Sequence, residues 1–531
     1  MASPLEDDVF EKLKQKLDPQ EQAKRDQEAN ARIHAQYERA QARVAELIGA
    51  NSTLPVTISS VRVLHATHTR RSFLERIFNP LLSANKDGPQ TLQDVLQEVH
   101  TAADKLKRFG TSRRRFIHAD AEADNVPDIF KPPISIFIDK PDPSNPSTTP
   151  TDIDIYLSAR EKSRYTIRTG TEAGHAEGSA YLNGTFRNIF GGAETLNIGG
   201  SLGTRTRSAY SIAFDTPVLS NPDLLLELGG MSSSTLKNWA SHEEVLKGGA
   251  TKLKWITGGG HRHELGYSGS WRQITGLAEN ASPTVRADAG DSFKSSVSHT
   301  WINDQRDTPL LPSRGYFMKS TTEIAGFGPL KGDVGFGKVE LESQAAIPIP
   351  VPGIEGGSGV SFTAGLRAGM LYPLTVGGGD IPVQSRINDR FQLGGPTDVR
   401  GFRLSGLGPR DGPDAVGGDV YAAGGASLLI PLPRVGKDTP LRLQAFINGG
   451  RLLALKGKPK EGIMDSDAVA DGMKRTLREL TNGLPSCAAG LGLVYAHPMA
   501  RFELNFSLPL VLRKGEEGRK GVSFGVGISF L

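Results

Sequence analysis

Arg400 stands in the segment Phe391-Gln392-Leu393-Gly394-Gly395-Pro396-Thr397-Asp398-Val399-Arg400-Gly401-Phe402, rich in Gly and Pro and without periodicity. Strand-like runs flank it, Ser361 to Leu371 and Asp419 to Ile430, so it reads as a long loop between two strands. Such loops are uncommon in strand-rich domains unless they are functional or unstructured. Leu393, Val399, Phe402 and Leu404 are too apolar for a solvated tether. The loop is therefore expected to fold back, with Arg400 against a partner supplied elsewhere in the chain.

The other chemically suggestive residues are less organised. His261 and His263 form an H-x-H beside Gly258-Gly259-Gly260, with no third ligand near in sequence, so a strand end or loop is the expected setting. The single cysteine, Cys487, has no nearby histidine and reads as a small buried residue. No G-x-G-x-x-G, G-x-x-x-x-G-K-[ST] or H-E-x-x-H occurs. The expectation is a protein without metal or cofactor whose work is binding rather than catalysis. A net charge of +4 over 531 residues weighs against a nucleic-acid partner.

The elements that must position Arg400 change character along the chain. A length of 531 residues predicts more than one domain, and 62 Gly and 33 Pro predict many turns. No apolar run of 18 residues exists, so no transmembrane helix is expected, and the acidic start (Glu6, Asp7, Asp8) resembles neither a secretory signal nor a transit peptide. Residues 1–55 read as a helical arm, with Ile33, Tyr37, Ala40, Val44, Leu47 and Ile48 on one face. Residues 56–162 read as a small β-α-α-β-β domain. Its strands are 56–64, 116–123 and 152–160, its helices are 69–82 and 91–109, and a Pro-rich surface insertion fills 132–150.

From residue 163 to 531 the period becomes two. In Arg501 to Leu510, Phe502, Leu504, Phe506, Leu508 and Leu510 alternate with mostly polar residues; in Gly521 to Phe530, Val522, Phe524, Val526, Ile528 and Phe530 alternate with Gly and Ser. A soluble sandwich alternates too. The strands run to about ten residues, enough to span a bilayer at barrel tilt. Sixteen candidate strands can be marked, and prolines sit at the connections, which favours a transmembrane antiparallel β-barrel. Within 452–484, the part from Asp465 to Thr481 looks helical, and 512–520 reads as a solvated hairpin tip.

A β-α-α-β-β module before an alternating barrel resembles the POTRA-plus-barrel outer-membrane insertase superfamily that includes the bacterial BAM barrel. Val399-Arg400-Gly401-Phe402 matches that family's signature in the long loop before its twelfth strand. Asp304-Gln305-Arg306-Asp307-Thr308-Pro309 through Gly315 matches its D-x-R-D-x-P-x-x-P-x-x-G stretch, and Gly417-Gly418-Asp419 into Ala426-Ser427-Leu428 looks like its strand-twelve region. The resemblance covers residue 56 to the end. The single POTRA-like module is similar to the mitochondrial branch, the central barrel subunits of the sorting and assembly machinery. Ser523-x-Gly525-x-x-Ile528-x-Phe530 fits that branch's β-signal pattern.

The resemblance implies an integral protein of the mitochondrial outer membrane with its N-terminal domain in the intermembrane space. It implies an insertase for β-barrel precursors, with peripheral subunits of a sorting and assembly complex and the lipid bilayer as partners. The lateral gate would lie between a polar first strand (Tyr165, Ile167, Thr169, Thr171) and the last strand. Bacterial members place an F-x-D opposite the loop arginine; here the stretch is Phe446-Ile447-Asn448, without the charge. Arg400 is then left with Glu340, Glu342, Glu503 or backbone carbonyls as partners. The rival readings are a protein-translocating pore of the same superfamily and a scaffold that joins inner-membrane cristae-organising proteins to the outer membrane.

Overall fold

A computed structural model describes residues 39, 42–43, 46, 48–84, 90–109, 130, 134–141, 148–174, 177–326, 331–350, 359–374, 385–432, 439–455, 466–497 and 500–527. The chain divides into two compact units, one made of 1–64, 77–104 and 135–158, the other of 65–76, 105–134 and 159–531. Most of the predicted helical arm lies outside the described residues.

The first unit holds a four-stranded sheet in the order β2-β1-β4-β3. β1 (Pro55–Leu64) runs parallel to β4 (Asp152–Ser158), β2 (Gln90–Thr91) adds antiparallel to β1, and β3 (Ser135–Asp139) antiparallel to β4. Between β1 and β4 the chain passes through helices α1 (Arg71–Ala84) and α2 (Leu92–Arg108), the crossover that parallel strands require. Ile77, Phe78 and Leu81 of α1 and Val95, Val99 and Ala103 of α2 are buried at three- and four-residue spacing, as are Ile58, Ile155 and Leu157. One detail differs from the sequence reading. A strand, β3, forms inside the stretch read as an insertion, because Ile136-Phe137-Ile138 supplies β-forming residues among the prolines. The strand expected at 116–123 lies outside the described residues.

The second unit is one sixteen-stranded antiparallel sheet, in chain order from β5 to β22 apart from a two-residue hairpin, β16–β17 (410–415), inside one loop. Its strands are β5 (Tyr165–Gly174), β6 (Glu177–Arg187), β7 (Thr195–Gly203), β8 (Thr206–Pro217), β9 (Leu224–Lys237), β10 (His242–Ile256), β11 (Arg262–Thr275) and β12 (Gly290–Asp304). The second half is β13 (Gly315–Ala325), β14 (Phe336–Pro348), β15 (Ser361–Pro373), β18 (Val420–Pro431), β19 (Leu441–Leu453), β20 (Ser486–Ala496), β21 (Arg501–Val511) and β22 (Gly521–Gly527). A helix, Ser466–Thr481 (here α4, after the one-turn α3 at Pro283–Ala287), joins β19 to β20 as expected. Arg451 at the end of β19 donates to the carbonyls of Glu479, Leu480 and Asn482, closing the helix's C-terminal turn.

Alternation gives each strand two faces. Leu182, Ile212, Leu228, Leu265, Leu366, Ile447, Leu491 and Phe506 point outward and are each more than a third exposed, a surface tolerable only in lipid. The inward face carries Glu227, Arg272, Lys294, Glu323, Arg367, Gln444 and Glu503, paired or buried. Outward aromatics mark two levels: on β10 and β11, Lys247 covers the Trp271 ring and Trp255 stacks on His263. Eight residues of β10 separate these levels, about 26 Å of strand and about 20 Å along the membrane normal at barrel tilt.

Leu366→Arg, at the middle of β15 and outward, is expected to cost about 2–4 kcal/mol in equilibrium unfolding from lipid vesicles. The chain's own Arg367, one residue on, faces inward and is paired with Glu342.

Candidate functional site

The loop from β15 to β18 folds into the barrel as its apolar residues require. Phe391, Leu393, Val399, Phe402 and Leu407 join Phe336, Leu371, Ala423, Leu452 and Ala488 of the wall in one buried cluster. Arg400 is held inside that cluster, 1% exposed. Its Nε donates to Glu503 Oε2 at 2.8 Å and its terminal nitrogen to Oε1 at 3.1 Å, a bidentate pair with a fully buried carboxylate. The guanidinium lies 5.0 Å from the centre of the Phe446 ring. Gly401 has φ +87°, and a Cβ there would stand 2.6 Å from Ala488 Cβ, so only glycine lets the loop backbone press against β20 at this point.

Asn448 takes the place of the expected acid and does different work. In the amide orientation that satisfies both of its groups, it accepts from Arg400 N at 2.8 Å and donates to Arg400 O at 3.1 Å. A carboxylate could accept but not donate. The Arg400 side chain therefore goes to Glu503 and its backbone to Asn448. Of the other proposed partners, Glu342 is taken by Arg367 at 3.0 Å and Glu340 by Lys338 at 3.1 Å, so neither serves Arg400. Arg367 also reaches Asp398 of the loop at 3.4 Å, and Asp398 accepts from Gly394 N at 2.7 Å.

Glu503 collects further donors from its own strand face: Arg501 at 2.6 Å and Asn505 at 2.7 Å. Arg501 and Asn505 were not singled out from sequence, although Arg501-x-Glu503-x-Asn505 on a strand places all three on one face. Arg501 donates onward to the Leu310 carbonyl at 3.4 Å. Leu310 belongs to the D-x-R-D turn, where Arg306 is gripped by Asp304 at 2.9 Å and by Gln344 at 2.5 Å. Asp307 in the same turn accepts from the backbone of Thr308, Ser313 and Arg314. Burial pushes its carboxyl up, but these donors and the Ser313 hydroxyl outweigh it and hold it below the usual range. That contribution is present at neutral pH and fades as pH falls through the lowered value.

The loop is tied at other points as well. Asp389 meets Arg272 of β11 at 2.5 Å, Asn388 donates to Glu244 of β10 at 3.0 Å, and Asp414 accepts from Ser282 N at 2.7 Å. The 512–520 hairpin is not the solvated tip expected from its charges. Arg403 N donates to Glu517 O, Glu517 N to Gly406 O and Arg519 N to Gly401 O, at 3.0, 2.8 and 2.8 Å, while Arg410 pairs with the Glu517 side chain at 2.5 Å. The hairpin clamps the loop through its backbone, and the Glu517 carboxylate adds ion pairs with Arg410 and Arg403.

The predicted gate strands sit at the two ends of the sheet. Tyr165, Ile167, Thr169 and Thr171 alternate outward along β5, with Tyr165 67% and Ile167 65% exposed. Ser523 pairs with Asn505, and Gly525 with Glu503 itself. Among the described residues no ladder joins β5 to β22, although their Cα atoms come within 8 Å. Ile528 and Phe530 lie outside the described residues. Cys487, expected to be buried, is half-buried, beside a bulge where β20 meets Pro509 and Val511. His263, at the start of β11, has His299 of β12 at 3.3 Å, a neighbour invisible in the local sequence.

Residues 188–530 match the Omp85 superfamily domain. The chain is 36% identical to a SAM50-like protein of Schizosaccharomyces pombe over 490 residues, covering 92% of this chain and 94% of that one. It is 32% identical to a sorting and assembly machinery component 50 homolog of Xenopus laevis, over 83% of this chain and 85% of the relative. In fold it is similar to the crystal structure of BamA from Haemophilus ducreyi lacking POTRA domains 1–3, with a TM-score of 0.66, 14% identity and coverage of 89% and 84%.

Arg400→Ala leaves Glu503 buried without its main partner and is expected to cost about 3–5 kcal/mol, read as earlier unfolding of the purified barrel in urea. Replacing Arg400 and Glu503 with leucine leaves Arg501 buried without its carboxylate, so the loss should persist unless Arg501 is replaced as well. Asn448→Ala strands the Arg400 N–H and C=O and is expected to cost about 1–3 kcal/mol for each group.

Proposed function

This chain belongs to the Omp85 superfamily and to its sorting and assembly machinery type, and from that premise we propose that it inserts β-barrel precursors into the mitochondrial outer membrane by pairing their last strand at the seam between β5 and β22. The observation that carries the proposal is the seam: the two terminal strands are neighbours without a ladder among the described residues. A membrane β-sheet with a free edge is costly, because each unpaired N–H or C=O in hydrocarbon loses several kcal/mol. The same edge templates an incoming strand. Each precursor hairpin that pairs there enters lipid with its backbone satisfied.

Two further features support the seam as the gate. β5, β6 and β7 have 10, 11 and 9 residues, while β9 to β12 have 14 or 15. The wall beside the seam is therefore shorter by roughly four residues, about 13 Å of strand, and lipid there must thin to match it. The last strand is held by β21, and β21 is pinned by the loop through Arg400 and Glu503, with Gly525 opposite Glu503. Gly525 adds no side chain on the lumenal face, so the ion pair fits next to a strand that must exchange partners. The loop keeps the penultimate strand in place while the ultimate one opens.

In this reading residues 1–55 form an arm, 56–162 a POTRA domain on the intermembrane-space side and 163–531 the barrel. The partners are precursor barrels and the peripheral subunits of a sorting and assembly complex.

The test uses the single cysteine. In a Cys487→Ser background, cysteines are placed singly at Ile167, Thr169 and Thr171, and a precursor carrying one cysteine in its final strand is imported. Disulfides that shift in register with the position on β5 are expected. Cross-links confined to lumenal positions would instead indicate a translocating pore, and insertion without cross-links to the seam would indicate a scaffold.

A further inference from the structure

Three imidazoles and two indoles meet on the outward face of the barrel, at the rim where β5 begins. His263 of β11 lies in register between Trp255 of β10 and Trp301 of β12, and His299 is in register with Leu265 and Leu253. Leu265 and Val297 on this face are 44% and 40% exposed, so the face is the lipid-facing one. The Trp255 and His263 rings are stacked, 5.1 Å apart and 5° from parallel. His299 lies 5.5 Å from His263, ring to ring, and His261 lies 5.8 Å from Trp301. His263 Nδ1 and His299 Nε2 are 3.3 Å apart, and His261 Nδ1 is buried without a hydrogen-bond partner.

The charge balance of this patch is unusual. The titratable groups that bear on His263 are His299 and His261. By alternation, the nearest acid on these strands, Glu264, faces the lumen, as do Lys252, Lys254 and Glu227, which pair with one another. Tyr316 and Asn303, bonded at 3.4 Å, extend the outward row on β12 and β13 and bring no charge. Three groups that become cationic on protonation thus stand together at this rim, and among the described residues of β10 to β12 the outward carboxylates, Glu243 and Asp291, lie at the opposite rim. Tryptophan marks the level at which lipid headgroups meet the apolar band.

We propose that His261, His263 and His299, framed by Trp255 and Trp301, form a headgroup site for an anionic phospholipid, with imidazole N–H groups donating to its phosphate oxygens. The indoles stack on the imidazoles and keep their ring edges toward the headgroup layer, and the acyl chains lie along Leu265 and Val297. Imidazolium donates from both nitrogens, so the site takes its lipid more tightly when its histidines are protonated. The position is several strands from the seam, so the site is separate from the insertion path.

The full-length protein is purified in a zwitterionic detergent and exposed to short-chain phosphatidylglycerol or phosphatidylcholine, with bound lipid counted by native mass spectrometry at pH 6 and pH 8. Phosphatidylglycerol is expected to be retained over phosphatidylcholine at pH 6, with the preference falling at pH 8. His263→Gln together with His299→Gln should weaken retention by about fivefold, the upper weight of one screened charge contact. Gel mobility that shifts on heating shows that the variant still forms a barrel, and Trp255→Phe with intact histidines should keep the preference. Equal retention of the two lipids, retention unchanged in the histidine variant, displacement by inorganic phosphate at equal concentration, or zinc uptake that depends on the histidines while lipid retention does not, would each overturn the proposal.

Discussion

The ion pair between Arg400 and Glu503 is the contact on which the interior of this barrel depends. Both side chains are removed from solvent, and taking two charges out of water costs several kcal/mol each. The arrangement offsets that cost by gathering four donated bonds on the one carboxylate. Glu503 receives two bonds from Arg400 and one each from Arg501 and Asn505, while Phe446 covers the guanidinium face. A partly satisfied version would be worse than an apolar core, so the pair also dictates its surroundings. Gly401 must lack a side chain, and Asn448 must be able both to donate and to accept.

This pair ties a long loop to the penultimate strand. Further anchors fix the loop to β10, β11 and β15, and the hairpin between β21 and β22 closes over it by backbone bonds. The effect is a barrel braced from within along the strands before its last one. The last strand hangs from β21 by one ladder among the described residues, with Gly525 beside the buried carboxylate. Stability is thereby concentrated at β21, next to a last strand that a single ladder holds among the described residues.

The outward surface obeys a different constraint. Lipid accepts no unpaired backbone and no unpaired charge, so the strands alternate and the charged groups turn inward. Aromatic residues at two levels of β10 and β11 mark the height of the apolar band there. The histidine cluster stands at one of these levels.

The sequence by itself determined the class of the fold and the identity of the loop arginine. A period of two over nearly 370 residues, turn residues at the connections and strands near ten residues long are local properties, and sixteen strands followed from them. The helices at Arg71–Ala84 and Ser466–Thr481 were legible for the same reason, through spacing on one face. What only the tertiary structure decided was pairing across the lumen. Glu340, Glu342 and Glu503 all sit on inward faces, and nothing in their local sequence distinguishes them. The choice of Glu503 rests on which strand curvature brings opposite residue 400, and on Lys338 and Arg367 having already taken the other two. The hairpin at 512–520 was misread for a related reason: charge predicts solvent for side chains, whereas its backbone groups, which carry no signature in sequence, bond to the loop, and its Glu517 finds loop arginines distant in sequence. The His299 neighbour of His263 is likewise a matter of register between strands, which sequence order alone does not contain.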